Sequence, residues 1–358
     1  MADDISPRAL NRATLARQLL LARDSGDPVA AVEQLGGLQA QEPKPAYLAL
    51  WTRLDGFERD ALHAALHDRA VVRATAMRAT LHMLSAADFA ALRPALQPAL
   101  DGALDGVLKQ RGAEVDRPAV VAAARRLLRD EPLTFNDLRE RLAERFPDTE
   151  IRSLGYTVRM LVPLLMVPTD DRWSFPGDAR FALAEDRLGP ADPAALVRRH
   201  LGAFGPASAA DVQAWSGVEA LKGTVEGMAD ELVALKAGRR TLYDLPDAPR
   251  PGEDAEAPPR LLPEFDSLLL AHQDRTRVIA DEHRKALATK NLRIASTFLV
   301  DGVVAGSWAI ERKRGTATLT LSSFGPLAKA DREALAAEAE ALLAFTGDGA
   351  PRIAFARR

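Results

Sequence analysis

Behind Ser6-Pro7, a capping serine followed by a proline suited to a first helical turn, Leu10, Leu15, Leu19 and Leu20 recur at helical spacing and predict a helix reaching about residue 23. Residues 24–28 read as a turn. Residues 29–35 form a second short helix, which Gly36-Gly37 ends. The next stretch, Leu38-Gln39-Ala40-Gln41-Glu42-Pro43-Lys44-Pro45, is punctuated by that glycine pair and two prolines, so it cannot be a long helix. If it is extended, Gln39 and Gln41 point to one face while Leu38 and Ala40 pack inward, whereas helical geometry would set the two amides about 200° apart. Further helices are expected at 47–54 and 59–66, then a strand-like run within 71–84, which is the helix and strand order a winged helix needs. A helical connector follows from 88 to about 110.

The order recurs at pattern level, without residue-level repetition. A helix at 135–145, a second at 152–165 and a hairpin turning at Asp170-Asp171 make a second candidate winged helix. Helices at 194–203, 209–216 and 218–232 with short strands near 235 and 240–243 make a third. Residues 244–259 carry five acidic residues and five prolines and read as an exposed linker held away from any DNA-binding face. Past Leu261 the texture turns to β, with Asp301-Gly302 the strongest hairpin signal and a closing helix at 329–345. The expected organisation is 1–115, 116–190 and 191–245 as three helix and strand modules, 246–260 as linker and 261–358 as a β-rich domain.

Composition narrows the chemistry. Hydrophobic residues make up 47% and charged residues 27% of the 358, an ordinary globular balance. There is no cysteine, which excludes disulfides, thiolate metal sites and a cysteine nucleophile. The six histidines do not form the zinc-protease pattern of two histidines flanking a glutamate, and no metal is expected. Asp3 and Asp4 open the chain in place of a basic signal-peptide start, and the longest apolar run, 160–167, is broken by a proline. A cytoplasmic protein with no membrane contact is therefore expected. The net charge of −3 requires any nucleic-acid contact to use a local basic face. The candidates are 272–293, where Arg275, Arg277, Arg284, Lys285, Lys290 and Arg293 outnumber the acids, and the hairpin tip Arg312-Lys313-Arg314.

Four separated motifs carry a resemblance across nearly the whole chain: Leu35-Gly36-Gly37-Leu38-Gln39-Ala40-Gln41, Met77-Arg78-Ala79-Thr80-Leu81-His82, Leu262-Pro263-Glu264-Phe265-Asp266-Ser267-Leu268-Leu269-Leu270 and Val300-Asp301-Gly302-Val303-Val304-Ala305-Gly306-Ser307-Trp308. In this order they resemble the bacterial winged-helix DNA glycosylases of the AlkZ and YcaQ kind. The resemblance implies a mainly α fold with β, three tandem winged-helix modules followed by a C-terminal β-barrel-like domain, and a cofactor-free catalytic motif in the first module. That motif is Gln-apolar-Gln in the AlkZ branch and Gln-apolar-Asp in the YcaQ branch, and Gln39-Ala40-Gln41 matches the former. It further implies a monomer acting on double-stranded DNA with an alkylated purine, excising bulky N7-alkylguanines or unhooking interstrand crosslinks, often as self-resistance to a DNA-alkylating natural product.

The chemistry fits neutral amides. An N7-alkylated guanine is cationic and leaves without being protonated, so positioning a water against an oxocarbenium-like sugar suffices. Gln41 is expected to position that water and Gln39 to orient it or touch the DNA backbone. Glu42 is the rival base and His82 a supporting candidate, although a histidine in an apolar strand is more often core. Trp51, Phe57, Met77 and Met83 read as core, and Tyr47 either packs beneath the site or has no part in it. Two other classes stay open: a winged-helix regulator that binds DNA without cutting a bond, and a relative that sequesters the alkylating compound itself.

Overall fold

The protein is described by a computed structural model covering residues 3–287, 295–347 and 349–357. After a short strand β1 (Asp3–Asp4), Ser6 caps α1 (Pro7–Arg17) by accepting from the Ala9 amide, and Asp27 caps α2 (Pro28–Gln34). Gly36 and Gly37 sit at φ 66° and 84°. A Cβ on Gly37 would lie 2.5 Å from Leu84 Cδ2, so this position needs both the left-handed backbone and the missing side chain. The chain can thus leave α2 and enter β2 (Leu38–Gln39).

α3 (Pro43–Trp51), α4 (Arg59–His67), β3 (Val71–Thr75) and β4 (Leu81–Ser85) complete the first segment; α5 (Ala86–Ala95) and α6 (Gln97–Arg111) connect it to the second. There α7 (Arg117–Asp130), β5 (Leu133–Thr134), α8 (Phe135–Arg145), α9 (Ile151–Leu161), β6 (Leu164–Met166) and β7 (Arg180–Leu183) follow. Strands of both segments share one six-stranded sheet ordered β2-β4-β3-β6-β7-β5, joined where β3 pairs antiparallel with β6 through Arg73 opposite Met166 and Ala74 opposite Leu165. The expected hairpin forms, β6 pairing antiparallel with β7, but its connection is a long loop, residues 167–179, with Phe175 buried, in place of a turn at Asp170-Asp171 alone.

The third segment comprises α10 (Pro193–Phe204), α11 (Ala209–Ser216), α12 (Lys222–Gly227), β8 (Val233–Ala237) and β9 (Arg240–Asp244). The helix expected over 218–232 is only six residues long, flanked by turns. β1 returns to pair in parallel with β8, tying the N-terminus to this segment. Asp244, read as the start of an exposed acidic linker, is fully buried against the Arg17 guanidinium.

Beyond it, β10 (Arg260–Leu262), α13 (Asp281–Leu287), β11 (Thr297–Val300), β12 (Val303–Lys313), β13 (Thr316–Ser323), α14 (Lys329–Thr346) and β14 (Ala350–Arg357) build the C-terminal domain. Its sheet runs β10-β11-β12-β13-β14 and is open, which corrects the barrel-like expectation. The reason lies in its last connection. α14 carries the chain back so that β14 lies parallel to β13, as a crossover helix requires. Leu335, Ala339, Leu342 and Leu343 of that helix cover the face formed by Leu261, Phe298, Leu319 and Leu321, so the sheet is buried without curling on itself. The whole is a mixed α/β fold, and among the described residues no helix is long and apolar enough to cross a membrane.

α1 departs from a simple amphipathic helix: beyond Arg8, which is exposed, its polar residues are buried too. Asn11, Arg12, Thr14, Arg17 and Gln18 all lie inside, because they satisfy groups in two other parts of the chain. Arg17 pairs with Asp244 at 2.7 Å and Gln18 donates to the Ala203 carbonyl; Asn11 donates to the carbonyls of Arg277 and Gly302, and Arg12 pairs with Asp301. Just past α3, Arg53 forms a two-pronged pair with Asp266 at 2.8 and 2.9 Å, both groups buried. Asp266→Ala should destabilise the protein by about 3–5 kcal/mol, because it strands a buried guanidinium, while the paired replacement Arg53→Met with Asp266→Leu should recover most of that loss. Urea unfolding midpoints of the single and double variants check this; equal losses in both would contradict it.

Candidate active site

The ladder between β2 and β4 holds Leu38 opposite Met83 and Gln39 opposite His82, and the Ala40 amide continues it by donating to the Leu81 carbonyl at 2.7 Å. There the regular pattern stops. The Ala40 carbonyl turns to Arg73 Nε at 2.9 Å and the Gln41 carbonyl to Arg73 Nη2 at 2.9 Å. The Leu81 amide would be left without a strand partner, and the Gln41 side chain supplies it: Oε1 accepts from Leu81 N at 2.7 Å. The segment is therefore no long helix, as the glycine and proline punctuation requires, and of the two conformations open to it takes the extended one, with Leu38 and Ala40 buried.

Gln39 is held in the same sense. Its Oε1 accepts from Arg78 Nη2 at 2.8 Å, and Arg78 also donates through Nη1 to the Trp215 carbonyl in α11. Arg78 lies at φ 53° in the tight turn 77–79 between β3 and β4, with Gly217 packed against its backbone. An amide whose oxygen faces a guanidinium, and one whose oxygen faces a backbone N–H, have their orientation fixed by those donors. Both glutamines thus anchor their oxygens to the protein, leaving the NH2 groups and a second lone pair on each oxygen for other partners.

The two amides differ in exposure. Gln39 is 9% exposed and lies beside the loop containing Pro263, Glu264, Phe265 and Asp266. Gln41 is exposed on a cavity of about 320 Å3 whose walls include Glu42, Arg73, Asn136, Arg159 and Phe175. Glu42 stands on the ridge between this cavity and a second of about 490 Å3, lined by Lys44, Trp308 and Arg312 among others. Arg73, Arg78 and Arg159, which sequence reasoning did not single out, supply the positive charge around the pair. Burial lowers the pKa of Arg73 and of Arg78 to about 10, which leaves both cationic at neutral pH. Only Arg78 had a visible signal, its place in the Met77-to-His82 motif.

His82 lies across the ladder from Gln39, yet it is not equipped as an acid. It is buried, its Nδ1 contacts the Thr80 carbonyl at 3.1 Å, and Nε2 has no hydrogen-bond partner. Burial, aided by the Arg78 charge, pushes its pKa down to about 3.

The sequence model of the family described as DNA glycosylase AlkZ-like matches residues 32–345. The chain belongs to the AlkZ-like DNA glycosylase family. As an AlkZ-like glycosylase it is a hydrolase of the N-glycosidic bond. A relative, the interstrand DNA cross-link repair glycosylase of Streptomyces sahachiroi, is 26% identical over 322 residues, spanning 83% of this chain and 85% of the relative. The solved structure of Streptomyces sahachiroi DNA glycosylase AlkZ matches with a TM-score of 0.83 and 22% identity, over 98% of this chain and all of that one, so the fold is shared.

On this AlkZ-like fold the expected basic contacts separate. Arg275 is half-buried and close enough to Arg78 to depress its pKa further. Arg277 departs from the expectation of a DNA contact: it is buried, and its Nη1 binds Thr14 Oγ1 and the Pro206 carbonyl. Arg284 and Lys285 are exposed on α13, with Arg284 paired to Asp281 at 3.0 Å. Lys290 and Arg293 lie outside the described residues. Arg312, Lys313 and Arg314 are exposed around the tip joining β12 to β13, and Arg312 also borders the cavity beside Glu42.

Because the folded-state pKa of His82 lies below the ordinary imidazole value, the unfolded chain binds a proton that the folded chain refuses as the pH falls. The stability this histidine contributes is complete above about pH 6.5 and is lost progressively toward pH 3. The His82 imidazole resonances should stay those of a neutral ring between about pH 8 and pH 5; a midpoint near 6.5 by NMR would contradict the assignment.

Proposed function

We propose that this glycosylase acts in interstrand crosslink repair, hydrolysing the N-glycosidic bond of N7-alkylated guanines, bulky or crosslinked, in double-stranded DNA. The observation that carries the reading is the pinned pair: Gln39 held by Arg78 beside the loop of Pro263 to Asp266, and Gln41 held by the Leu81 amide at the rim of an arginine-lined cavity. The cross-link repair glycosylase of Streptomyces sahachiroi, whose fold this chain shares, supports the substrate class.

In this reading Gln41 holds the water: its remaining oxygen lone pair accepts from the water while its NH2 donates to a sugar or phosphate oxygen. Gln39 orients that water or touches the backbone from its more buried position. The bond from C1′ to the base breaks with its electron pair going to the cationic N7-alkylguanine, which departs neutral; water adds to C1′ and its proton passes to solvent. Arg73, Arg78 and Arg159 attract phosphates around the sugar, and Arg275, Arg284, Lys285, Arg312, Lys313 and Arg314 extend the grip, with Arg293 beyond the described residues as a further contact. A lesion tethered to both strands resists extrusion, so the base is attacked in place in the groove.

The same reading takes residues 1–115, 116–190 and 191–245 as three winged-helix modules and 261–358 as the domain that carries the hairpin Arg312-Lys313-Arg314 toward DNA. The protein works as a monomer without a cofactor in a bacterial cytoplasm, as a monofunctional glycosylase, and provides self-resistance to a DNA-alkylating natural product.

Base release from duplex DNA carrying N7-alkylguanine, with abasic sites read as alkali-labile breaks, tests the proposal. Gln41→Ala and Gln39→Ala should each lower the single-turnover rate by about 100-fold or more, with DNA affinity little changed. Glu42→Ala should keep most of the activity. Loss in Glu42→Ala with near-normal release by Gln41→Ala would give the water to the carboxylate, and DNA binding with no release from simple or bulky adducts would favour a regulator.

A further inference from the structure

His63 and His67 are one turn apart on α4, so both imidazoles leave the same side of the helix, with ring centroids 4.5 Å apart. The sequence shows no such pair with a carboxylate partner, and no metal was expected from it. The structure brings the carboxylate from a hundred residues away, in the loop between β6 and β7. Asp170 Oδ1 lies 3.7 Å from His63 Nε2 and 3.8 Å from His67 Nε2, and one donor atom from each of the three residues falls within 4.8 Å of the others. Around a tetrahedral ion with bonds of about 2.0–2.1 Å, neighbouring donor atoms stand roughly 3.4 Å apart. The two separations to Asp170 therefore need to shorten by only a few tenths of an ångström, and His67 Nε2 exchanges its 3.4 Å contact with the Thr169 carbonyl for the ion.

The pose of the first histidine is set from behind. His63 Nδ1 lies 2.9 Å from Ser174 Oγ, which is 2.5 Å from the Tyr47 hydroxyl. Ser174 is fully buried at φ 66°, a backbone conformation that costs a serine strain. With Nδ1–H donating to Ser174, the Nε2 lone pair faces Asp170, the arrangement by which ligating histidines are held. The carboxylate is carried on a closed loop: Thr169 N donates to the Ser174 carbonyl and Ser174 N to the Asp171 carbonyl, each at 2.7 Å. Asp170 and His67 face solvent, so an ion can enter.

We propose that His63 Nε2, His67 Nε2 and Asp170 bind one divalent transition-metal ion of the zinc class, with water completing its coordination. Two imidazoles and one carboxylate suit zinc and its neighbours better than calcium or magnesium, which take oxygen ligands. The ion would clamp α4 to residues 167–179, of which Phe175, Pro176, Gly177, Asp178 and Ala179 line the cavity at Gln41. Its role is to fix that wall, apart from the chemistry at the glutamines.

Chelator-treated protein without an affinity tag, titrated with cobalt(II) and separately with zinc chloride, tests this. One equivalent should bind saturably, cobalt should develop a visible absorption band, and zinc should raise the melting temperature. His67→Ala and Asp170→Asn should melt as the wild type does without metal, while their metal affinity falls by at least about 100-fold. Ser174→Ala should weaken binding about 10- to 100-fold, by freeing the His63 ring. Absence of saturable one-to-one binding, or affinity unchanged in His67→Ala and Asp170→Asn, would overturn the proposal.

Discussion

Three guanidinium groups without access to water hold this protein in register. Arg12, Arg17 and Arg53 are each 1% exposed, and each meets a carboxylate from a distant part of the chain: Asp301, Asp244 and Asp266. Removing a guanidinium from water is unfavourable unless charge and hydrogen bonds replace the lost hydration. Any arrangement of the segments that pulls a carboxylate away strands a buried cation, so the pairs are a constraint on geometry more than a source of net stability. Their common effect is to lock the first helices against the third segment and the C-terminal domain. β2 lies in the same unit, held by its pairing with β4.

The consequence at the site is a pair of neutral amides with nothing left to orient. Arg78 reaches from a strained turn to Gln39 and anchors itself on α11, so the third segment takes part in setting an amide in the first. Gln41 completes a strand ladder that the backbone abandons when Arg73 captures the next two carbonyls. Amides serve poorly as proton acceptors, but under the proposed function the leaving base is cationic and does not ask for a strong base, and preorganised positioning is then the contribution proposed for the protein.

Much of this was legible in the sequence where local rules operate. The glycine pair and the prolines ruled out a long helix over Leu38 to Gln41, and Asp301-Gly302 marked a hairpin whose turn residues sit at φ 49° and 76°. The four motifs behind the family resemblance meet in space: Gln39 with Arg78, Ala40 with Leu81, Gln39 beside the loop after Leu262, and the Trp308 indole donating to the Leu262 carbonyl. What could not be read were long-range pairings. Arg12 and Arg17 look like the solvent face of a helix until their carboxylates are placed, Arg277 looks like a DNA contact until Thr14 and Pro206 surround it, and Asp244 looks like a linker acid until Arg17 meets it. The expected barrel failed for a related reason, since the parallel return of β14 depends on how α14 packs and not on the strand sequences themselves.

The central claim, that neutral amides position the water for a base already prepared to leave, is tested most directly by the pH dependence of single-turnover base release from N7-alkylguanine duplex. Neither glutamine titrates, so the account predicts a rate that is flat between about pH 6 and pH 9. A rate that rises with pH through a single ionisation, with that limb abolished in Glu42→Gln, would contradict it and assign the water to a carboxylate base.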